Sequence, residues 1–187
     1  MAATVNGREV VLETLLLIVR DGEYSHIALK NVLDKYQYLE KKERAFITRV
    51  VDGTLEHMME IDYIINQFSK VKVNKMKPVI RTIMRSSVYQ LKYMDSVPDS
   101  AVCNEAVKLA TKKGFVNLKG FVNGVLRSIA RNKDNLPMPN PTENPQISWK
   151  DVLSVEASMP KLILDLWEKD YGKDKTIEMT KNLQHIK

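Results

Sequence analysis

The sequence has little of what secreted, zinc-binding or membrane-spanning proteins depend on. Its 187 residues include a single cysteine and three scattered histidines, which provide neither an internal disulfide nor the ligands of a structural zinc site. The most apolar run, residues 10–19, is interrupted by Glu13 and Thr14 and has about half the length that a bilayer span requires. No small-residue cleavage site follows it. These absences predict a cytoplasmic protein that contacts no membrane.

Glycine and proline are also scarce, with seven of each, which is too few for a chain built from many short strands and tight turns. No stretch alternates apolar and polar residues convincingly. Apolar residues recur instead at intervals of three and four, as in Val11, Leu12, Leu15 and Ile18, which is the period of one buried helix face. The sequence therefore predicts an all-α fold.

Several residues predict where these helices begin, bend and end. Asp21–Gly22 and Lys113–Gly114 are expected to stop helices, because glycine accepts the left-handed conformation found just after a helix. Ser25 is expected to cap the second helix, and Pro78 suits the first turn of a later one. A break or bend is expected near Gly53.

Prolines cluster in one segment only. Pro137, Pro139, Pro141 and Pro145 lie among polar residues, which indicates a semi-stiff linker over residues 134–147. This gives a helical domain at 1–133, the linker, and a helical C-terminal extension at 148–187 that is too short to bury a core alone. The extension either packs back on the first domain or belongs to a further domain that is cut off at Lys187.

Positive charge is concentrated in two segments, although the chain as a whole carries only +6. Residues 69–92 contain seven basic side chains and no acidic one, and residues 104–133 contain seven basic side chains against Glu105 alone. Such segregation is typical of a polyanion-binding surface. From charge alone, nucleic-acid binding and ordinary solvated helix faces remain equally open.

Two of the predicted helices carry cations at every fourth residue, so the cations lie on one face of each helix. The first set is Lys77, Arg81 and Arg85, and the second is Lys119, Asn123, Arg127 and Arg131. If the helices are neighbours, we expect both stripes to line a single groove that binds phosphates, which arginine recognises with its planar fork of donors. Aromatic residues close by in sequence offer stacking surfaces for bases if they are exposed, although each by itself is more often a core residue. They are Tyr89, Tyr93, Phe115 and Phe121.

The remaining chemically active residues indicate no active site. Cys103 lies on an apolar helix face, where a lone cysteine is usually a small buried hydrophobe. His26, His57 and His185 have no ligand spacing. Asn104 and Asn123 are expected to tie neighbouring loops through buried hydrogen bonds rather than to contact RNA directly.

Two motifs in tandem resemble the NusB-like family. Residues 97–107 (VPDSAVCNEAV) contain its Val-Pro and Asn-Glu-Ala-Val elements, and residues 120–127 (GFVNGVLR) contain its Phe-Val-Asn-x-Val-Leu helix. Upstream segments around Arg8, residues 44–55 and residues 88–91 follow in family order, so that the resemblance covers roughly residues 5–132.

The resemblance implies an all-helical RNA-binding module. Such modules occur as free transcription antitermination factors and as the N-terminal part of a small-subunit ribosomal RNA (cytosine-5) methyltransferase that uses S-adenosylmethionine. Arg127 and the arginines near the N-terminus favour the second kind, as does the continuation through residues 159–172, which is similar to the opening of that enzyme's connecting domain. Neither catalytic cysteine of the enzyme is matched, because Cys103 lies inside the RNA-binding module.

We therefore expect a module that positions ribosomal RNA for a methyltransferase domain in cis, with S-adenosylmethionine used by the full-length protein and no cofactor, metal or catalytic residue in this fragment. The alternative is a free antitermination-type factor that binds RNA and a ribosomal protein, and a weaker possibility is a bundle whose main role is oligomerisation. The expected RNA-binding residues are Arg8, Arg44, Arg49, Lys77, Arg81, Arg85, Lys112, Lys113, Lys119, Arg127 and Arg131.

Overall fold

The structure, a computed structural model, describes residues 5–186, and of His185 and Ile186 it describes the backbone alone. Within this range the chain is helical, with no strand, which confirms the all-α prediction. The ten α-helices of the described residues are α1 (Gly7–Leu15), α2 (Ser25–Lys35), α3 (Lys41–Glu56), α4 (Met58–Phe68), α5 (Pro78–Tyr93), α6 (Asp99–Lys112), α7 (Lys119–Arg131), α8 (Trp149–Ala157), α9 (Lys161–Tyr171) and α10 (Lys173–Ile186). A π-helical turn, Leu16–Arg20, continues α1, and 3-10 turns lie at Val73–Lys75, Val116–Leu118 and Lys133–Asn135.

Most helix ends lie where the sequence places them. The first helical segment stops before Gly22, and α6 stops before Gly114, and both glycines have positive φ (79° and 91°). Pro78 occupies the first turn of α5. Ser25 was wrongly expected to be a cap: it is the first residue of α2, and the cap position belongs to Tyr24, which makes no side-chain hydrogen bond there.

The expected break near Gly53 is four residues away from the observed one. α3 continues through Gly53 and ends at Glu56, and the chain turns at His57. Gly53 is required for a different reason, because the ring of Tyr89 lies 2.1 Å from where a Cβ atom would be. The glycine therefore permits α3 and α5 to approach closely rather than bending the helix.

α5 is the centre of the bundle and contacts α1, α3, α4, α6 and α7. Its apolar stripe, which includes Ile80, Ile83 and Met84, is almost completely buried in one continuous core that also contains Leu12 of α1 and Leu126 of α7. Each such side chain contributes about 1.5–3 kcal/mol when it is buried. This core fixes how α5, α6 and α7 face one another.

The C-terminal extension, α8–α10, packs back on the bundle through α4. α8 begins with a capping box, in which Ser148 and Asp151 each satisfy the other's backbone N–H. The Glu60 N–H donates to Ser158 Oγ at 3.3 Å, which ties the end of α8 to α4. Leu153 and Leu164 are buried within the extension but are not part of the main core.

None of the helices between residues 5 and 186 combines the length and the apolar character that crossing a bilayer requires.

Candidate nucleic-acid interface

A groove of about 560 Å³ runs between α6 and α7, and we call it the α6–α7 groove. It forms because the two helices pack through apolar faces and leave polar residues along the outer edge of the contact. Its lining residues are Asn104, Val107, Lys108, Lys119, Gly120, Asn123 and Arg127.

Arg127 is the central cation of this groove. Its Nε donates to Asn123 Oδ1 at 3.2 Å, and its Nη2 donates to Asn104 Oδ1 at 2.9 Å. Both acceptors are neutral amides, so the guanidinium is oriented while its charge remains uncompensated. A guanidinium carries five N–H donors, and the two described bonds leave the others available for a phosphate.

At the start of α7, the groove gives a ligand close access to the backbone of the helix. The exposed Lys119 has no ion pair or hydrogen bond to any residue of the described part of the chain. Beside it, nothing lies within 4 Å of the position that a Cβ atom of Gly120 would occupy. An extended polyanion is able to approach the helix closely at such a glycine. Lys108 lines the opposite wall and makes a long, exposed ion pair with Glu105 at 3.4 Å.

Arg131 lies one turn beyond the groove. Its Nη2 donates to Ser128 Oγ at 3.1 Å, and the side chain is exposed. The α7 stripe therefore continues outward from the groove with a further cation that has no carboxylate partner among the described residues.

The expectation that the α5 and α7 stripes line one groove is wrong. α5 and α7 are neighbours, but Arg81 and Arg85 line a second groove, with Asp62 and Asn66 of α4, that shares no lining residue with the first. The stripe on α5 faces α4, whereas the stripe on α7 faces α6. Sequence spacing places cations on one helix face, but the neighbouring helix is chosen by the core.

The arginines of α5 are engaged by the protein itself. The guanidinium of Arg81 donates to three backbone carbonyls, those of Val73 (2.8 Å), Asn74 (3.1 Å) and Met76 (3.0 Å). Arg85 forms a bidentate pair with Asp62, with both distances 2.7 Å, and its side chain is only 11% exposed. Lys77, by contrast, is exposed and unpaired within the described residues.

The three N-terminal arginines expected to bind RNA also have protein partners. Arg44 donates to the Leu33 carbonyl at the end of α2, and Arg49 donates to the Tyr93 carbonyl at the end of α5. Arg8 donates to Gln90 Oε1 at 3.0 Å and lies over the ring of Phe46. Burial lowers the pKa of Arg8, but an arginine stays charged at any physiological pH.

Lys112 and Lys113 converge on one carboxylate. Both ammonium groups pair with Glu9, at 2.6 and 3.0 Å. The hydrogen bond from Lys112, with a further one from Lys113, holds the pKa of Glu9 below its ordinary value despite partial burial. These two lysines share the compensation of a single negative charge.

The aromatic side chains near the cations belong to the core or pack against it. Tyr89 is buried, and Tyr93, Phe115 and Phe121 are half-buried against the same core. The ring of Tyr93 stacks on His57 at 4.3 Å. Burial, together with the hydrogen bond that its hydroxyl donates to Glu60, raises the pKa of Tyr93. The core interpretation of these rings is therefore confirmed.

The interpretation of Cys103 as a buried hydrophobe is confirmed as well. Its side chain is fully buried, and burial raises the pKa of the thiol, which disfavours the reactive thiolate. His57 lies in the aromatic stack described above and His26 is exposed, while the side chain of His185 lies outside the described residues. Among the side chains the structure describes, no three of the ligating types gather in a way that would hold a metal ion.

Asn104 and Asn123 have a role that differs from the expected one. They were expected to tie loops, but they orient Arg127 from two different helices. The spacing of four between Asn123 and Arg127 is the one signal present in the sequence. The contribution of Asn104 depends on how α6 packs against α7, which spacing does not reveal.

The described residues thus form an all-helical bundle with a cationic groove between α6 and α7. Residues 5–131 match the NusB family model, and the chain belongs to the NusB family.

Two kinds of curated relative are similar to different lengths of the chain. The probable ribosomal RNA small subunit methyltransferase B of Bacillus subtilis (strain 168) is 34% identical over 165 residues, which are 88% of this chain and 35% of that protein. The transcription antitermination protein NusB of Desulforamulus reducens is 34% identical over 129 residues, which are 68% of this chain and 90% of that protein. The chain thus spans about a third of the length of the methyltransferase relative.

Two solved structures are similar to different lengths of the chain. A structure described as antitermination factors NusB and NusE in complex with dsRNA matches with a TM-score of 0.62 and 26% identity, covering 67% of this chain and 93% of that one. The structure of PH0851 matches with a TM-score of 0.71 over 95% of this chain and 38% of that one, at 15% identity, which shows a shared fold that includes the extension.

Proposed function

We propose that the α6–α7 groove binds the sugar–phosphate backbone of RNA. Arg127 and Lys119 provide the phosphate contacts, with Arg131 extending the surface beyond the groove. Support comes from the uncompensated charge of Arg127, from the open approach at Gly120, and from the solved family member that is described as a complex with dsRNA. Contacts of this kind fix where an RNA lies without reading its sequence.

We further propose that this RNA is small-subunit ribosomal RNA and that the chain positions it for cytosine-5 methylation. The observation that carries this proposal is the length of the similarity to methyltransferase B. A match of 165 residues extends beyond residues 5–131 into the extension, whereas the antitermination relative matches over 129 residues. The similarity to the methyltransferase thus includes at least part of the extension.

In this proposal the chemistry belongs to a separate catalytic domain in cis, which corresponds to the remaining length of the methyltransferase relatives. S-adenosylmethionine would be bound there. The described residues are helical and present no glycine-rich turn between a strand and a helix, the feature on which nucleotide-containing cofactors are commonly held, so no step of the reaction is assigned to them. The helical bundle supplies orientation, and the reacting base enters a pocket elsewhere.

The groove is tested by reversing its charge. We expect the K119E/R127E variant to bind a small-subunit rRNA fragment at least about tenfold more weakly than the wild type, because two phosphate contacts become repulsive. The matched control is K169E/K181E, which makes the same charge change at two exposed lysines of the extension. An equal loss of RNA affinity in both variants would show that only the net charge of the protein matters. Unchanged affinity in both variants would show that the groove does not bind RNA.

The enzymatic part is tested in cells that lack the gene. We expect bisulphite sequencing of small-subunit rRNA to lose one 5-methylcytosine, and a K119E/R127E allele to restore it only partly. An unchanged methylation pattern in the deletion strain would contradict the proposal even if the protein binds RNA.

The second candidate is a free antitermination factor that binds RNA and a ribosomal protein. The observation that favours it is the 90% coverage of the antitermination relative, together with the presence of NusE in a matching complex. This function predicts reduced read-through of ribosomal RNA transcription in the deletion strain with rRNA methylation intact. The two functions therefore give opposite results in the same strain.

A further inference from the structure

The segment that joins α4 to α5 carries four lysines within eight residues, and we call residues 70–77 the lysine loop. Lys70, Lys72, Lys75 and Lys77 are all exposed, and none has an ion pair or hydrogen bond to another described residue. The nearby carboxylate of Asp62 is already bonded at both oxygens to Arg85. The four positive charges therefore face solvent without compensation.

Most other lysines of the described chain form ion pairs. Each of the following pairs with a carboxylate: Lys35, Lys92, Lys108, Lys112, Lys113, Lys133, Lys150, Lys161 and Lys175. Four unpaired lysines in one short segment repel one another, and this repulsion is relieved when a polyanion binds.

The loop is also held in one conformation. Val73 and Met76 are buried in the core, and Arg81 bonds to the carbonyls of Val73, Asn74 and Met76. The N–H of Val73 donates to Asn66 Oδ1 at 2.9 Å. The lysines are thus displayed from a fixed backbone, and ordering that backbone adds no cost when a ligand binds.

Arg81 adds a fifth positive charge under this loop, and its partners are neutral carbonyls. A carboxylate at the same place would hold the loop less well, since it cannot donate to carbonyls, and it would also cancel the charge of a lysine. The positive charge that fastens the loop therefore strengthens its attraction for anions.

The chemistry of the loop suits a phosphate backbone rather than bases. It contains no aromatic residue and no arginine for stacking or bidentate base contacts, and its charges are the compact ammonium groups of lysine. It contributes Lys72, Val73 and Asn74 to the lining of the second groove, the one that contains Arg81 and Arg85, and no residue to the α6–α7 groove. The lysine loop is thus a cationic surface separate from the α6–α7 groove.

We propose that the lysine loop is a second RNA-binding surface, which contacts the phosphates of a segment of the same RNA outside the α6–α7 groove. This inference rests on the proposed RNA-binding function. It assigns contacts to Lys70, Lys72 and Lys75 in addition to Lys77.

The test compares four proteins with a small-subunit rRNA fragment long enough to reach both surfaces: the wild type, the loop variant K70Q/K72Q/K75Q/K77Q, the groove variant K119Q/R127Q, and their combination. We expect the loop variant to bind about tenfold or more weakly at 0.1 M salt, with a salt dependence less steep by at least about 1.4, which corresponds to two lost phosphate contacts. The matched control K30Q/K41Q/K169Q/K181Q removes the same charge from exposed lysines elsewhere.

The outcomes separate this inference from the proposed function. Weaker binding by the groove variant with wild-type binding by the loop variant overturns the second surface and leaves the groove intact, and the lysine loop would then be assigned to an acidic protein surface. Loss in the loop variant alone supports the loop and contradicts the groove. A loss in the control equal to that in the loop variant overturns the loop as a specific surface.

Protection of the lysines provides an independent readout without substitutions. With RNA bound, we expect Lys70, Lys72, Lys75 and Lys77 to react more slowly with an amine-acylating reagent, as measured by mass spectrometry, whereas Lys169 and Lys181 keep their rates. Equal reactivity of the loop lysines with and without RNA would overturn the proposal.

Discussion

The cation stripes of α5 and α7 have the same spacing in sequence, but the arginines of α5 are bonded within the protein, whereas the cations of α7 have no carboxylate partner among the described residues. Arg81 and Arg85 of α5 are bonded to carbonyls and to Asp62, so they hold the bundle together. Lys119 and Arg127 of α7 face a groove in which no carboxylate bonds to them. A periodic stripe of cations therefore identifies a helix face, and the neighbour across that face decides whether the charge is structural or available.

The difference originates in what the neighbouring element offers. Across from α5, α4 offers Asp62 and the lysine loop offers carbonyls, and both are strong acceptors for a guanidinium. Across from α7, α6 offers the amide of Asn104, which orients Arg127 without neutralising it. We expect substitutions on α5 to act on stability and substitutions on α7 to act on binding.

The largest effect on stability is expected for Arg81→Ala. Three carbonyls lose a charged donor, and the backbone of the lysine loop loses its fastening, so the free energy of unfolding should fall by about 3 kcal/mol. Urea denaturation measures this, with Arg81→Lys as a control that keeps the charge and loses the fork of donors. A change in the free energy of unfolding of less than about 0.5 kcal/mol would show that Arg81 is not a structural cation and would contradict the contrast between α5 and α7.

Arg85→Ala is expected to cost about 2 kcal/mol, because it leaves the carboxylate of Asp62 partly buried without its partner. The double variant R85A/D62N should recover part of that loss, since no unpaired charge remains. A double-mutant cycle by thermal or urea unfolding checks the coupling. Additive losses would show that the pair contributes little and that Arg85 resembles an exposed residue.

Arg127→Gln is expected to leave the free energy of unfolding within about 0.5 kcal/mol of the wild type, since the side chain fastens no helix end. RNA affinity should fall by about five- to tenfold.

Asn104→Ala should weaken RNA binding less than Arg127→Gln does, because the cation stays while its orientation is lost. Fluorescence anisotropy with a labelled RNA measures the affinity of both variants. A large loss of stability in R127Q with unchanged RNA affinity would show that Arg127 is a structural residue and not an RNA-binding one.

Glu9→Gln tests an intermediate case, in which Lys112 and Lys113 share one carboxylate. Removal of the negative charge should raise RNA affinity by about twofold at low salt, because two cations lose their compensation. Since the folded-state pKa of Glu9 is lowered, its stabilising contribution is complete above its ordinary pKa and is lost as the pH falls through the lower folded-state value. The wild type should therefore lose more stability than E9Q between pH 5 and pH 3, and parallel pH profiles would contradict the account.

Much of the fold was predictable from the sequence because the apolar period of three and four residues is strong. The stops at Gly22 and Gly114 and the start of α5 at Pro78 follow from local backbone preferences. The role of Gly53 was not predictable, since it depends on the ring of Tyr89, which approaches from another helix.

The candidate site was predictable only in part. The sequence identified Lys119 and Arg127, but it placed Arg81 in the same groove and missed the help that Asn104 gives to Arg127. Each error concerns a partner on a different helix, and hydrogen-bond partners between helices follow from core packing rather than from spacing along one helix. The docking of α8 on α4 has the same origin, and the sequence left it open between two alternatives.

The most direct test of the account is the salt dependence of RNA binding by the wild type and by K119Q/R127Q. If Lys119 and Arg127 contact phosphates, the slope of log Kd against log salt concentration should become less steep by about 1.4 to 1.8, with unchanged helicity. Identical slopes for the two proteins would contradict the assignment of the α6–α7 groove as the RNA-binding surface.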